Sequence, residues 1–313
     1  MNRRAMLKTT GTLIAGAAAT GLPTAEARQT EGTSPFFPGF RTFKVQTSGA
    51  TINGVIGGQG PPLLLLHGAP QMHITWRLVA PKLQSEYTIV ASDLRGYGDS
   101  SKPPDGENHL NYSKRAMALD QVEVMKHFGF DRFAVVGQDR GGRVTHRMAL
   151  DHPNNVTKAA VLDIVPTNYL YTHVTIEFIQ AYFHWFNNVR AAPIPENEMI
   201  ASFASRQKPV DPVQAEYFRT QSDPANIHGL CEDYRAGASI DLKHDETDIN
   251  KRIQCPLLVL WADPGAMGRI YDVLSIWKER GVNVRGKGMT GGHNLQEGNP
   301  EGVTAEIRAF LKP

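Results

Sequence analysis

One stretch limits the fold more than any other: Phe133-Ala134-Val135-Val136-Gly137-Gln138-Asp139-Arg140-Gly141-Gly142-Arg143. A short apolar run reads as a buried strand, breaks into Gly-x-Asp-x-Gly, and continues as a helical pattern to Leu150. Strand, sharp turn and helix within so few residues describe a nucleophile elbow. The glycines at 137 and 141 allow a turn tight enough to push residue 139 out at the carboxyl end of a parallel sheet. The residue presented is an aspartate. A carboxylate is not a base-activated hydroxyl, so its chemistry is attack on an sp3 carbon bearing a leaving group, or on an epoxide, to give an ester on the enzyme. The plainer alternative is that Asp139 only caps the following helix.

Asn2-Arg3-Arg4-Ala5-Met6-Leu7-Lys8, the apolar run Thr12 to Gly21, and Ala25-Glu26-Ala27 read as a twin-arginine export signal with its cleavage site. Residues 1–27 are therefore set apart from the fold, and the mature protein is expected in the periplasm or secreted. The run is too short for a good spanning helix, so no stable membrane anchor is expected. With 33 Lys and Arg against 31 Asp and Glu, nothing points to nucleic acid. Cys231 and Cys255 read as free thiols, with a disulfide left open. No metal-ligand spacing and no glycine-rich phosphate loop is present, so neither metal nor cofactor is expected.

After an extended lead-in with a hairpin expected around Asn53-Gly54, Pro62 to Leu66 is a buried strand ending in His67-Gly68-Ala69-Pro70. That turn leaves the Ala69 N–H aimed at the carboxyl edge of the sheet, where with the Arg140 N–H it forms a two-donor oxyanion hole. Thr88 to Ala91 is the next strand, and the charged loop Asp93-Leu94-Arg95-Gly96-Tyr97-Gly98-Asp99-Ser100 is assigned structure rather than chemistry. Tyr112 to Phe128 is helical. Ala159 to Leu162 delivers Asp163. From Pro166 to about Asp248 the sequence is aromatic-rich, helical and proline-broken, as expected of a cap over an active site. The sheet resumes at Pro256 to Trp261, and a short strand near Val282 to Arg285 leads to His293 on a glycine-rich loop.

Asp139, then an acid, then His293 is the chain order of the α/β-hydrolase fold. The expected architecture is a mostly parallel eight-stranded sheet with helices on both faces. Its core is split into 28–165 and 249–313, and a helical cap (166–248) is inserted after the sixth strand. Two places compete for the acid. The position after the penultimate strand holds Gly265, so Asp163 is preferred, to fix the His293 tautomer and stabilise its imidazolium.

Residues Gly137 to Arg143, His67-Gly68-Ala69-Pro70-Gln71, Asp93 to Ser100, Leu162-Asp163-Ile164, Tyr182-Phe183-His184-Trp185-Phe186 and Cys231-Glu232-Asp233-Tyr234-Arg235-Ala236 resemble the haloacetate (fluoroacetate) dehalogenases. The resemblance covers nearly all of the chain after residue 35. It implies Asp139 as nucleophile, His293 as base, Asp163 as its orienter, Arg140 and Arg143 as holders of the substrate carboxylate, and His184, Trp185 and Tyr234 as donors to the departing halide. The implied partner is a short halogenated carboxylic acid, and a homodimer is left open. The arginines have a competing use, holding an internal carboxylate such as Asp163 or a cap acid, and the aromatic run 182–186 has one too, as helix-packing core.

This chain departs from the family in three places. Ala69 stands where the family has a bulky aromatic, and Gln138 where it has histidine. The cap between Ile200 and Tyr217 is shorter and lacks a second pocket tryptophan. Each change removes wall and weakens the rejection of acids larger than two carbons. Two rival functions share the scaffold. An epoxide hydrolase needs two cap tyrosines, with Tyr169, Tyr171, Tyr182, Tyr217 and Tyr234 as candidates, but gives the arginines no partner. A non-catalytic carboxylate-binding protein does not need both His293 and Asp163.

Overall fold

Five short runs rich in Val, Leu, Ile and Ala set the layout, because strands apolar on both faces need a layer on each side. In the computed structural model, which describes residues 32–312, they form the middle of one eight-stranded sheet. The expected export signal lies outside these residues. The strands are β1 (Arg41–Gln46), β2 (Thr51–Gly58), β3 (Pro62–Leu66), β4 (Thr88–Ser92), β5 (Phe133–Gln138), β6 (Val156–Leu162), β7 (Leu257–Ala262) and β8 (Val284–Met289). Their spatial order is β1-β2-β4-β3-β5-β6-β7-β8. β1, β2 and β4 pair antiparallel and every pairing from β4 onward is parallel. All six residues of β5 are buried, as its place mid-sheet requires.

The helices in the core are α1 (Ala80–Leu83), α2 (Lys114–His127), α3 (Arg140–Asp151), α11 (Ala266–Ile270), α12 (Val273–Arg280), α13 (Leu295–Gly298) and α14 (Pro300–Leu311). Between β6 and β7 run the seven cap helices: α4 (Thr167–Thr172), α5 (Ile176–Ala181), α6 (His184–Asn188), α7 (Ile194–Ala204), α8 (Pro212–Gln221), α9 (Pro224–Gly237) and α10 (Ile240–Thr247). Two apolar clusters lie on the two faces of the sheet. One contains Val144, Met148 and Trp277 and runs without a break into the cap through Leu170, Phe178, Trp185 and Tyr234. The other contains Leu63, Leu65, Val136, Ile307 and Phe310. The cap thus shares the core of the sheet and is anchored by burial.

The first hairpin does not turn at Asn53-Gly54. Both residues lie inside β2, and the turn is Thr47 to Ala50, closed by Thr47 N–H donating to the Ala50 carbonyl at 2.8 Å. Gly54 serves close packing instead: a Cβ there would stand 2.5 Å from the Ala91 carbonyl and 2.7 Å from the Phe43 ring. The last strand likewise starts later than expected and extends to Met289.

Candidate active site

The elbow is as tight as its glycines allow. A Cβ on Gly137 would lie 2.2 Å from the Gly141 carbonyl oxygen, and one on Gly141 would lie 2.5 Å from the Leu66 oxygen of the neighbouring strand. Between them Asp139 adopts φ 45°, ψ −114°, a conformation that costs an L-residue on the order of 1–3 kcal/mol. Its carboxylate makes no cap hydrogen bond to helix α3, so the capping role does not describe it. Instead Oδ2 accepts from the Ala69 N–H at 3.0 Å. The backbone N–H of Arg140 opens α3 immediately after it, among the donors a helix start leaves free.

The loop after β8 turns through Gly291 (φ 135°) and Gly292 (φ 72°) and delivers His293. His293 Nδ1 lies 2.6 Å from Asp163 Oδ2, while Asp163 Oδ1 accepts from the Ala262 N–H at 2.8 Å. Asp163, at the end of β6, also has a positive φ of 54°. The acid that meets the histidine is therefore the one after β6, and Gly265 after β7 opens α11. With Nδ1 occupied, Nε2 is the nitrogen left to act. Burial pushes the His293 pKa down, but the hydrogen bond to Asp163 and the charges of Asp139 and Asp163 outweigh it and hold it above the ordinary value. Burial would raise the Asp139 pKa. His293, Arg140, Arg143 and the Ala69 N–H together reverse that and hold it below the usual carboxylate range. Asp139 is therefore ionised at neutral pH.

Arg140 and Arg143 sit on the first turn of α3, both buried. The Arg140 guanidinium lies 3.5 Å from the Tyr234 ring centre and 4.4 Å from that of Trp185, and Arg143 lies 4.6 Å from that of Trp185. Both guanidinium groups stack on these rings, and neither is among the residues that line the open cavity. The internal-carboxylate use is partly realised for Arg140. Its Nε is 3.8 Å from Asp233, a buried cap acid that also accepts from the Tyr97 hydroxyl at 2.6 Å and pairs with Lys114. Asp163 is not its partner. Arg143 donates to the Val165 carbonyl at 3.1 Å and the Thr167 hydroxyl at 3.0 Å. Three nitrogens of Arg140 and Nε of Arg143 remain buried without a hydrogen-bond partner. Burial and the neighbouring Arg140 push the Arg143 pKa down to about 10.

A cavity of about 390 Å³ opens above Asp139, and His293, Ala69, His184, Trp185 and Tyr234 are among its walls. The three side chains expected to meet halide converge: the His184 and Trp185 rings lie 5.8 and 5.5 Å from that of Tyr234, both edge-on. His184 lines the rim of the cavity, where loss of water around its ring, with Arg140 nearby, outweighs the charge of Asp139 and keeps its pKa below the ordinary value, so at neutral pH it is an uncharged N–H donor. Of the five candidate tyrosines, Tyr182 and Tyr234 line the cavity. Tyr217 instead donates to Glu297, and Tyr169 stacks on His173. In the sequence Asp233 stands only as a member of the run Cys231 to Ala236, and its neighbour Tyr234 is the signal that it belongs near the site.

Among the described residues, Asp105, His228 and Glu232 are one group whose ligand atoms lie within 4.8 Å of one another. His228 is hydrogen-bonded to Asp105 and Glu196, and Glu232 to His109 and Arg235, so these groups satisfy one another across the join of cap and core. Cys231 is buried and Cys255 half-buried, both free thiols.

With this geometry in hand, the chain can be compared with known proteins. Residues 61–280 match the model of the alpha/beta hydrolase fold family. A fluoroacetate dehalogenase of Burkholderia sp is 45% identical over 288 residues, spanning 88% of this chain and 95% of that one. A soluble epoxide hydrolase of Corynebacterium sp. (strain C12) is 31% identical over 288 residues, 84% of this chain and 96% of that one. A solved chain from Nostoc sp PCC 7120 superposes with a TM-score of 0.84 at 48% identity, covering 87% of this chain and 98% of that one. The chain belongs to the alpha/beta hydrolase fold family and, within it, to the haloacetate dehalogenases.

Proposed function

We propose that the protein hydrolyses the carbon–halogen bond of short 2-haloacids through an ester on Asp139. The observation that carries this reading is the pair of buried guanidinium groups beside an ionised aspartate, with donors that no protein group takes. A buried guanidinium N–H left without an acceptor is costly, and a substrate carboxylate is an acceptor that would complete it.

Attack falls to Asp139 Oδ1, because Oδ2 is held by Ala69. The carbon–halogen bond breaks as the oxygen–carbon bond forms, and the halide leaves toward His184, Trp185 and Tyr234. Their N–H and O–H donors act on charge that grows in the transition state. His293 Nε2 then takes a proton from water, the hydroxide adds to the Asp139 carboxyl carbon, and the oxyanion faces the Ala69 and Arg140 N–H groups. Collapse expels the 2-hydroxyacid, whose alkoxide takes the proton from His293.

The test is halide release from fluoroacetate, chloroacetate and 2-chloropropionate beside a styrene oxide assay, with Asp139→Asn as control. Halide that disappears in the variant supports the reading. Diol from the epoxide with no halide from any acid would make Tyr182 and Tyr234 epoxide-protonating groups and transfer the chain to the reaction named for its Corynebacterium relative. Export by the twin-arginine route is part of the same proposal, tested by whether the Arg3→Lys, Arg4→Lys precursor stays in the cytoplasm.

A further inference from the structure

Resting on the dehalogenase reading, we infer that the preferred substrates are 2-haloacids carrying a branched alkyl or aryl group on the α-carbon, rather than haloacetate itself. At roughly 30 Å³ per water, a cavity of about 390 Å³ has room for on the order of ten waters. Pockets of this size ordinarily bury ligands much larger than a two-carbon acid. A haloacetate, a handful of non-hydrogen atoms, would leave most of the volume wet beside the nucleophile.

The direction of the space matters as much as its amount. In the proposed reaction the carboxylate and the halogen both lie at the end of the cavity where Arg140 and Arg143 stack on Trp185 and Tyr234, with Asp139 on the side opposite the halogen. What remains is one hydrogen and one further substituent. On the side of Ala69, whose N–H is 3.0 Å from the nucleophile oxygen, the wall is only a methyl group. Beyond the reactive end, beside the polar Arg206, Gln221 and Asn226, the cavity runs into the cap, where Met199 and Phe203 of α7 and Ile227 and Leu230 of α9 give it an apolar stretch. None of these four side chains can act on a haloacetate. An apolar substituent lying along them would expel water that gains nothing there and would dry the carboxylate that must attack. Pocket fit discriminates by roughly tenfold or more for each group correctly placed.

The experiment is kcat/KM for chloroacetate, 2-chloropropionate, 2-chlorohexanoate and 2-chloro-2-phenylacetate with the full chain, repeated in Leu230→Trp and Phe203→Trp. The expected result is a rise of at least about tenfold from chloroacetate to the best substituted acid, and loss of that advantage when either tryptophan fills the arm. A chloroacetate value equal to or above those of all substituted acids would overturn the inference while leaving the dehalogenase reading intact, since the arm would then be only a path of entry. Halide release from none of the four acids would overturn both. If one tryptophan variant fails to fold, the other carries the comparison, and the wild-type ranking decides the matter without either.

Discussion

The side-chain amide of Gln138 donates to the backbone carbonyl of His293 at 3.2 Å, so the residue before Asp139 holds the loop that carries His293. The same nitrogen lies 3.4 Å from Asn294 Oδ1, and Gln296 reaches both Gln138 and Thr75. Gln138 is fully buried at the end of β5, where it cannot swing away. Replacing it with leucine keeps the bulk and removes the tether. A loop displaced by a fraction of an ångström misaims Nε2 at the attacking water, a loss of between about 10-fold and 100-fold. Gln138→Leu should therefore slow ester hydrolysis while halide release in the first turnover stays near normal. Rapid-quench measurement separates the two steps, and an equal fall in both would mean that Gln138 only supports the elbow.

His293→Asn goes further along the same line. The displacement step needs no general base, whereas hydrolysis loses the roughly 10²- to 10⁴-fold that a positioned base supplies. One equivalent of halide per enzyme should be released, followed by near arrest, with a substrate-derived mass increment on the peptide containing Asp139. Normal steady turnover would remove His293 from the mechanism.

The pH profile tests its partner. Burial lowers the His293 pKa, the hydrogen bond to Asp163 and the neighbouring carboxylate charges raise it, and the balance lies above the ordinary value of about 6.5. Only the neutral ring can accept a proton from water. Once Asp139 is an ester its charge no longer raises the ring, so turnover should fall as pH drops through the value that burial and Asp163 set, and level off above it. In Asp163→Asn the hydrogen bond to a carboxylate is lost and the lowering by burial remains, so the acid limb should move to lower pH while the maximal rate drops. An acid limb that stays in place would show that a different group governs it.

How much of this was legible in the sequence follows from the kind of signal each part sends. The elbow, the chain order Asp139, Asp163, His293 and the break from sheet to cap are written in local patterns, where glycine spacing and apolar runs follow directly from sterics and burial. Asn53-Gly54 misled because a glycine required for a close approach to the neighbouring strand has the same letters as one required for a turn. The tether from Gln138 to the His293 carbonyl, 155 residues away, leaves no local trace. Neither does the buried grouping of Lys114, Asp233, Arg140 and Tyr97, whose members come from four separate segments. The stacking of the arginines on Trp185 and Tyr234 is likewise set by packing of the cap on the core.

That buried grouping gives the last prediction. Asp233 is fully buried, accepts from the Tyr97 hydroxyl at 2.6 Å, pairs with Lys114 and faces Arg140 at 3.8 Å. Burial alone would raise its pKa, but Lys114 and Arg140 reverse the direction and hold it below the usual carboxylate range. A carboxyl with a depressed folded-state pKa stabilises the protein above its unfolded value of about 3.9, and that stability is lost as pH falls through the folded value. At pH 7 the contribution is therefore fully present. Asp233→Asn is nearly isosteric but leaves two buried cations short of a counter-charge, for which a loss of about 3–5 kcal/mol is expected. Asp241, 3.3 Å from Lys114, softens the effect on that side only, so Arg140 bears most of the imbalance. Urea unfolding at pH 7 measures the loss directly, and a change below about 1 kcal/mol would mean that the grouping relaxes around the amide. Repeating the measurement at progressively lower pH should narrow the gap between variant and wild type only once the Asp233 carboxylate itself takes up a proton.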